Sequence, residues 1–362
     1  MEELGKKLNS ICDEYEFQTN WTLKNLVNEQ IINRDGDKKV YSASTRKIAI
    51  LMTALNQVYE NKLDLSEKLE IKPDYFKNTS GVFRFCEPGF SMQIYNILTL
   101  MIIVSDNACT GTIVDLLGLD LINEFCKRIG MYNTKHIHGI PLENLEYKGD
   151  LEETNYTSSN DVTNLLNLIL NGKYNCSDSL NILGTSQNLC SLALNILSGQ
   201  QFRTKIPALL PYNTVVAHKT GTTPHNHNDA GIIFNNNMPQ FIFSAYTSFV
   251  PLEINNISGQ FVASELISKN VGRLGKKLWT ADKKGDAVKL TCYKNAKEEA
   301  VDVSDIIEKK LKGKFSLNGI AILVRAIFQT REFEERFLKI GMGYRIIGGI
   351  KFYERAEIKD CI

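Results

Sequence analysis

The sequence is poor in the features that mark specialised classes of protein. Its eight cysteines are scattered without a C-x-x-C pair or a metal-ligand spacing, so we expect free thiols instead of a disulfide framework or a zinc site. No run approaches the roughly 18 apolar residues of a membrane span, and the opening MEELGKKLNS has no apolar signal segment. We expect a cytoplasmic protein as written, or a periplasmic one if an export signal is missing from this chain.

An excess of charge of one sign is also lacking. The chain has 42 Lys and Arg against 41 Asp and Glu, a formal net charge of +1. This balance gives no general attraction to nucleic acid or to an anionic membrane surface. What is present is an ordinary globular composition, with 43% hydrophobic and 23% charged residues among 362. That length exceeds one typical domain and predicts two.

Hydrophobic periodicity predicts a mixture of helices and strands. Leu4, Leu8 and Ile11 recur at helical spacing and predict an amphipathic helix over residues 3–16. The Asp-Gly-Asp turn at 35–37 lies between two apolar runs and predicts a β-hairpin. The polar stretch 133–158 is interrupted by proline and glycine, and we predict that it forms an irregular active-site loop. Further helices are predicted at 45–59, 94–104, 109–117, 162–170 and 189–197, and strands at 215–218, 230–234 and 241–250, with a turn over 221–228.

Three short motifs follow one another along the chain: Ser44-Thr45-Arg46-Lys47, Ser105-Asp106-Asn107 and Lys219-Thr220-Gly221. Taken singly, the first is a helix N-cap followed by a surface lysine, the second a helix end, and the third a hairpin turn. Together they occur in the order, and in the helix-start, interhelical-loop and strand-end contexts, that a serine acyl-enzyme requires. Their conjunction favours one catalytic site over three unrelated local structures.

The chemistry of these residues suits nucleophilic catalysis at Ser44. A serine hydroxyl needs an adjacent base, and Lys47 lies one helical turn further on, so both side chains project from the same face. Burial and the nearby cation Lys219 would both lower the pKa of Lys47. The N–H of Ser44 can hold a developing oxyanion. Ser105 can pass a proton to the leaving nitrogen, and Asn107 can bind an acyl-amide side chain.

The stretches YSASTRKIAILMTAL, LTLMIIVSDNACTGTIVDLLG and VVAHKTGTTPHNHNDAGIIF resemble class A serine β-lactamases, over about residues 1–255. The resemblance implies an α/β (α+β) sandwich in which an antiparallel sheet is flanked by an all-helical subdomain. It also implies hydrolysis of a β-lactam, or of an acyl-D-alanyl substrate, without cofactor or metal. It assigns acylation to Ser44, the base to Lys47, the proton shuttle to Ser105, and substrate contacts to Asn107, Lys219, Thr220, Gly221 and the N–H of Thr222.

The sequence departs from that family at the deacylating glutamate. Class A enzymes carry this residue on the loop before the helix at 161, closely followed by a Leu-Asn pair, where this chain reads PLENLEYKGDLEETN. Glu143 is the best-placed candidate, with Glu146, Glu152 and Glu153 behind it. Without a positioned glutamate the enzyme would acylate and then stall, as a penicillin-binding protein does.

The sequence argues less strongly for a substrate-binding arginine or for metal-binding histidines. No arginine follows the Lys-Thr-Gly motif where many family members place one for the substrate carboxylate, and Arg203 is the candidate substitute. His136 and His138 form one H-x-H pair, and His225 and His227 another. No carboxylate or cysteine stands at ligand spacing from either pair, so we expect no metal site.

After about residue 260 the stretches RLGKKLWT, IAILVRAIFQTREFEERFLK and YRIIGGIKFYERAEIKD resemble an internal segment of UvrD-like superfamily-one DNA helicases, over about 262–362. Strands at 320–324 and 344–347 and a helix at 330–340 predict a small α/β fragment. The G-x-x-x-x-G-K-[ST] phosphate loop is absent, so we expect neither an ATP site nor DNA binding. The chain is thus predicted to be a gene fusion of a catalytic domain, 1–260, with a truncated helicase fragment, 261–362.

Three functions stay open at this point. The first is a serine β-lactamase, and the second is a D-alanyl-D-alanine peptidase or esterase on the same fold, which penicillin would label persistently. The third is an inactive fusion product carrying a helicase remnant. Salt-dependent DNA binding that is lost on truncation at residue 260 would favour the third.

Overall fold

The computed structural model describes residues 1–77, 80–140, 151–211, 213–251, 291, 293, 295–313, 315–324 and 330–345. The chain divides into two compact units, Met1–Lys276 and Lys277–Ile362. The domain boundary predicted at residue 260 falls among residues 252–290, outside the described part of the chain. The division into 1–260 and 261–362 therefore stays a prediction.

The first unit is built on an antiparallel sheet. Its strands are β1 Gln18–Asn25, β2 Ile31–Arg34, β3 Val40–Tyr41, β4 Lys68–Glu70, β5 Ser91–Gln93, β6 Tyr156–Thr157, β7 Val216–Thr223, β8 Asn226–Asn235 and β9 Met238–Ser248. Five of them form one sheet in the order β2-β1-β9-β8-β7, while β3 pairs with β6 and β4 with β5. Early strands thus pair with late ones, which confirms the predicted sandwich topology.

Helices make up the largest regular part of the described residues. In the first unit they are α1 Glu2–Cys12, α2 Lys47–Tyr59, α3 Ile94–Ile103, α4 Asn107–Leu117, α5 Leu119–Arg128, α6 Ser159–Lys173, α7 Ser177–Leu183 and α8 Gln187–Ser198, and in the second α9 Ala296–Leu311 and α10 Thr330–Ile340. Among the residues described, none of these helices combines the length and apolar character needed to cross a membrane.

The two faces of the sheet are covered differently. On one face, α1 places Leu4, Leu8 and Cys12 on Trp21 and Phe243 of the sheet, which is the i, i+4 stripe expected of an amphipathic helix. On the other face, α6 and α8 pack against the strands, and α2 runs through the helical layer. Every residue of α2 from Lys47 to Gln57 is buried. This central helix begins at Lys47 and so carries the last residue of the first motif into the core.

The hairpin predicted at residues 35–37 is wrong. The strand after this turn, β3, pairs with β6 and not with β2, and β1 joins β2 through residues 26–30. The turn is instead pinned to the start of α6, because Gly36 O accepts a hydrogen bond from Asn160 N at 2.9 Å. A side chain at Gly36 would lie 2.4 Å from Asn160 Oδ1. A contact so distant in sequence overrides the local turn signal.

The predicted turn over 221–228 is also too long. Strands β7 and β8 continue to Thr223 and from Asn226, which leaves Pro224 and His225 as the connection. The longer ladder pairs Thr222 with His227 and Gly221 with Asn228. The Lys-Thr-Gly motif therefore lies within a strand, held on a regular register.

The second unit is helical in its described residues. The helix predicted at 330–340 is confirmed as α10, and Phe333 and Phe337 on it pack with Ala300 and Ile307 of α9. Residues 320–324, predicted as a strand, form none among the described residues, and Leu323 is 94% exposed. The strand predicted at 344–347 lies partly outside the described part of the chain.

We expect Leu55→Ala to lower the free energy of unfolding of the first unit by about 2–5 kcal/mol, because it opens a cavity in α2 where Leu55 is 0% exposed. Leu116→Ala in α4, where the leucine is 41% exposed, is the matched control and should cost roughly 1 kcal/mol or less. Urea unfolding followed by Trp21 fluorescence, in a Trp279→Phe background, measures both. An equal loss of unfolding free energy in the two variants would contradict the burial of Leu55 in the core.

Candidate active site

Ser44 lies in a short 3-10 turn, Ala43–Arg46, that leads from β3 into α2. Ala43 has a positive φ of 44°, a region that residues with a Cβ rarely adopt. The turn is held by Thr45, whose Oγ1 donates to Ser42 O at 2.6 Å and accepts from Tyr246 Oη at 3.1 Å. Strand β9 thereby fixes this turn, Ala43–Arg46, against the sheet. We call it the nucleophile turn, after the role that the sequence predicts for Ser44.

Lys47 is buried one turn after Ser44, at the first position of α2. Its Nζ lies 2.8 Å from Ser105 O, 3.1 Å from Ser105 Oγ and 2.8 Å from Asn107 Oδ1. Burial lowers the pKa of Lys47 well below its ordinary value, and the cations Lys219 and Arg46 lower it further. The buried amine is thus surrounded by three oxygen atoms, and its environment disfavours the protonated form.

The second motif is shaped by its central residue. Asp106 caps α4 by accepting from Cys109 N at 3.0 Å, and it also accepts from Val82 N at 2.6 Å and Phe83 N at 3.1 Å. Ser105, just before it, has a positive φ of 56°. Asp106 is thus a structural capping residue, and the turn it fixes carries Ser105 and Asn107 to Lys47.

The third motif lies on β7. Lys219 is fully buried and its Nζ donates to Thr220 O at 2.8 Å. Burial lowers its pKa to about 7, with Asp229 opposing and Lys205 adding to the shift. Next to it, a Cβ on Gly221 would lie 3.0 Å from Ser44 N. The glycine therefore permits close approach of β7 to the nucleophile turn.

Behind β7 lies a charged network that sequence reasoning missed. Lys205 Nζ donates to Gly221 O at 2.6 Å, Thr222 Oγ1 at 2.9 Å and Asn228 O at 2.9 Å. Burial lowers the pKa of Lys205 to about 8, against the opposing effect of Asp229. A lysine buried by tertiary contacts looks like any other in the sequence, so no local signal marks it.

Asp229 completes this network. Its carboxylate lies 2.9 Å from His218 Nδ1 and accepts from Ile206 N at 3.0 Å. Burial by itself raises the pKa of Asp229, but His218, Lys205 and the Ile206 N–H together bring it below its ordinary value. Arg203, the residue selected from the sequence, instead donates to Thr214 O at 3.2 Å and is not among the described residues that line the cleft.

The motifs meet at a cleft of about 230 Å³. Of the predicted site residues, the structure brings six to its walls: Ser44, Lys47, Ser105, Asn107, Thr220 and Thr222. Lys219 and Gly221 lie immediately behind that wall. Ten further lining residues were not predicted, and four of them bear on the chemistry of the site: Arg46, His138, Thr154 and Asn155. They come from the nucleophile turn and from the loop expected over 133–158.

None of the predicted glutamates is among the described residues that line this cleft. Glu143 and Glu146 lie outside the described residues. Glu152 is exposed, with its carboxylate 3.9 Å from Lys39 Nζ, and Glu153 is exposed too. No carboxylate of the described residues lines the cleft. Glu143 therefore stays a prediction, while Glu152 and Glu153 do not reach the site.

The histidines are separated by the fold. His136 is buried with Nδ1 3.3 Å from Arg46 Nη1, and burial followed by the Arg46 charge lowers its pKa well below the usual value. His225 bonds Val250 O at 3.0 Å in the turn after β7. Within the described part of the chain, no group of three or more His, Cys, Asp or Glu side chains is arranged to hold a metal ion.

The C-terminal residues match helicases. A family model of the UvrD-like helicase C-terminal domain covers residues 259–362. The probable DNA helicase II homolog of Rickettsia conorii is 46% identical over 101 residues, which is 28% of this chain and 16% of that protein. DNA helicase II of Escherichia coli is 44% identical over 100 residues, covering 28% and 14%. The chain thus spans about one sixth of the length of these relatives.

The rest of the chain matches a different family. Among solved structures, a β-lactamase from Sphaerobacter thermophilus has a TM-score of 0.63 and 20% identity, covering 74% of this chain and 96% of that one. PBP-A has a TM-score of 0.63 and 24% identity, covering 74% and 95%, and a PBP-A mutant was solved as an acyl-enzyme complex with penicillin G. These likenesses show the fold. A family model of the β-lactamase enzyme family covers residues 3–264, and the chain therefore belongs to that family.

Proposed function

We propose that this chain is a serine β-lactamase, which opens the β-lactam amide through an acyl-enzyme on Ser44. The observation that carries the proposal is the environment of Lys47. An amine with a strongly lowered pKa lies one helical turn from Ser44, beside Ser105 and inside the same cleft. A serine hydroxyl becomes a competent nucleophile when such a base takes its proton.

Acylation follows from these contacts. Lys47 Nζ removes the proton from Ser44 Oγ as the oxygen attacks the β-lactam carbonyl carbon. When the C–N bond breaks, the leaving nitrogen takes a proton from Ser105 Oγ, which recovers one from Lys47 across 3.1 Å. The backbone N–H groups of Ser44 and Thr222 stabilise the oxyanion. The close approach of β7 to Ser44 N supports this pairing.

Substrate orientation is assigned to β7. Both β-lactams and acyl-D-alanyl compounds carry a carboxylate, and the Thr220 hydroxyl in the cleft wall, with the amine of Lys219 next to it on the same strand, would receive it. Lys205, bonded to Thr222 Oγ1 and Gly221 O, holds that strand and adds positive potential behind it. Asn107, which lines the cleft, is placed to bind the amide of an acyl side chain.

A second function is favoured by one observation. The described lining residues include no carboxylate that could activate a hydrolytic water. If no other group does so, the acyl-enzyme persists and the protein acts as a penicillin-binding D-alanyl-D-alanine peptidase or a slow esterase. The two functions share every acylation step and differ only in the fate of the intermediate.

We expect the full chain to turn over a chromogenic cephalosporin and Ser44→Ala to abolish both turnover and covalent labelling, because the nucleophile is lost. Stopped-flow absorbance and intact-mass spectrometry measure the two effects. Persistent labelling without turnover would instead assign the penicillin-binding function. If a chain with a native circular dichroism spectrum gives neither an absorbance change nor a covalent adduct, the acyl-enzyme reaction is refuted.

We expect Lys219→Met to move the acid limb of the acylation rate to higher pH. Lys47 must be unprotonated to act, and loss of a neighbouring cation raises its pKa, so a higher pH is then needed to deprotonate it. Arg46→Met should shift the limb in the same direction by less, because Arg46 contributes less to the lowered pKa. Acylation by benzylpenicillin is measured from pH 4 to 10 by quenched mass spectrometry. An unmoved limb in Lys219→Met would contradict Lys47 as the base.

A further inference from the structure

His138 lies in the wall of the cleft that also contains Ser44. Its Nε2 lies 2.8 Å from Glu153 O. A backbone carbonyl only accepts hydrogen bonds, so in the neutral ring Nε2 carries the proton and Nδ1 carries the lone pair. Glu153 thus contributes its main chain, and the tautomer it selects leaves a basic nitrogen on His138.

The segment that carries His138 is held at several points. The side-chain oxygen of Asn155 accepts from Ile137 N at 2.7 Å and from His138 N at 3.0 Å. On the following residue, Gly139 O accepts from Arg46 Nη2. Arg46 lies between Ser44 and Lys47 in sequence, so the nucleophile turn itself fixes the position of this segment.

Its other side is anchored to α5. Asn123 Nδ2 donates to His136 O at 2.8 Å, and His136 N donates to Asn123 Oδ1 at 2.8 Å. This reciprocal pair, with the Arg46 and Asn155 bonds, fixes residues 136–139 between the helical layer and the cleft. A catalytic group needs this kind of support from its surroundings.

Few of the described lining residues could accept a proton from a hydrolytic water. Among the described residues of the cleft there is no carboxylate, and only Lys47 and His138 carry a basic nitrogen other than a guanidinium. The guanidinium of Arg46 stays protonated and cannot accept a proton. Building on the proposed acyl-enzyme, we infer that His138 is the general base that activates the hydrolytic water for deacylation.

Deacylation would hydrolyse the ester on Ser44 in two stages. His138 Nδ1 takes a proton from water as the water oxygen attacks the carbonyl carbon of the Ser44 ester. The tetrahedral intermediate collapses with cleavage of the bond between that carbon and Ser44 Oγ. The imidazolium of His138 gives that proton to the departing serine oxygen, so Lys47 stays neutral, and the carboxylic acid product loses its own proton to solvent. The products are the opened acid and free Ser44.

The test separates acylation from deacylation. The full chain and its His138→Ala variant are acylated with benzylpenicillin, excess reagent is removed, and decay of the adduct is followed by intact-mass spectrometry. In His138→Ala we expect acylation within about threefold of the wild-type rate and deacylation slowed by roughly 100-fold or more, the usual contribution of a general base. Added imidazole should restore part of the deacylation rate in this variant alone.

Two carboxylate variants serve as comparisons. Glu153→Gln keeps the backbone carbonyl that orients His138 and should deacylate at the wild-type rate. Glu143→Gln tests the rival base, and stalled deacylation in that variant, with unaffected decay in His138→Ala, would overturn the proposal. So would a wild-type adduct that never decays, although acylation at Ser44 would then stand. Slow decay in His138→Ala without imidazole rescue would make His138 structural, and absence of any adduct would refute the acyl-enzyme itself.

Discussion

Removal of three lysine side chains from water is the constraint on which the site depends. Lys47, Lys205 and Lys219 are all buried, and an ammonium group is costly to bury unless it is paired or loses its proton. Their hydrogen bonds go to backbone carbonyl and side-chain oxygen atoms, and Asp229 opposes the lowering of the pKa of Lys205 and Lys219. Burial lowers the pKa of Lys47, the proposed base, well below its ordinary value, and it lowers the pKa of Lys205 to about 8 and that of Lys219 to about 7.

The backbone around these lysines is held in uncommon conformations. Ala43 and Ser105 both have positive φ, which is unfavourable for residues with a side chain and is concentrated at functional sites in proteins. Each is stabilised by bonds from elsewhere in the fold: Thr45 and Tyr246 hold the turn after Ala43, and Asp106 holds the loop before α4. Lys47 directly follows the first turn in sequence and bonds Ser105 of the second, so both turns shape its environment.

The sequence predicts which motif residues meet at the cleft better than it predicts what surrounds them. Ser44, Lys47, Ser105 and Asn107 follow from motif order, and the helix at 330–340 follows from periodicity, because both signals are local. The turn at Gly36 was misassigned because its carbonyl bonds to Asn160, which is far away in the chain. Lys205 and His138 were missed for the same reason: their partners, such as Gly221 and Glu153, are brought to them only by folding.

The two halves of the proposed reaction would use different walls of the cleft. Acylation would use the turn that carries Ser44, the Ser105 loop and β7, whereas deacylation would depend on the wall that contains His138, Thr154 and Asn155. Arg46 connects the halves, because it lowers the pKa of Lys47 and also bonds Gly139 O. Under this proposal, a change in that wall would convert a hydrolase into a protein that retains its acyl group, without altering the acylation residues. Arg46 is the exception, since any substitution there affects both halves together.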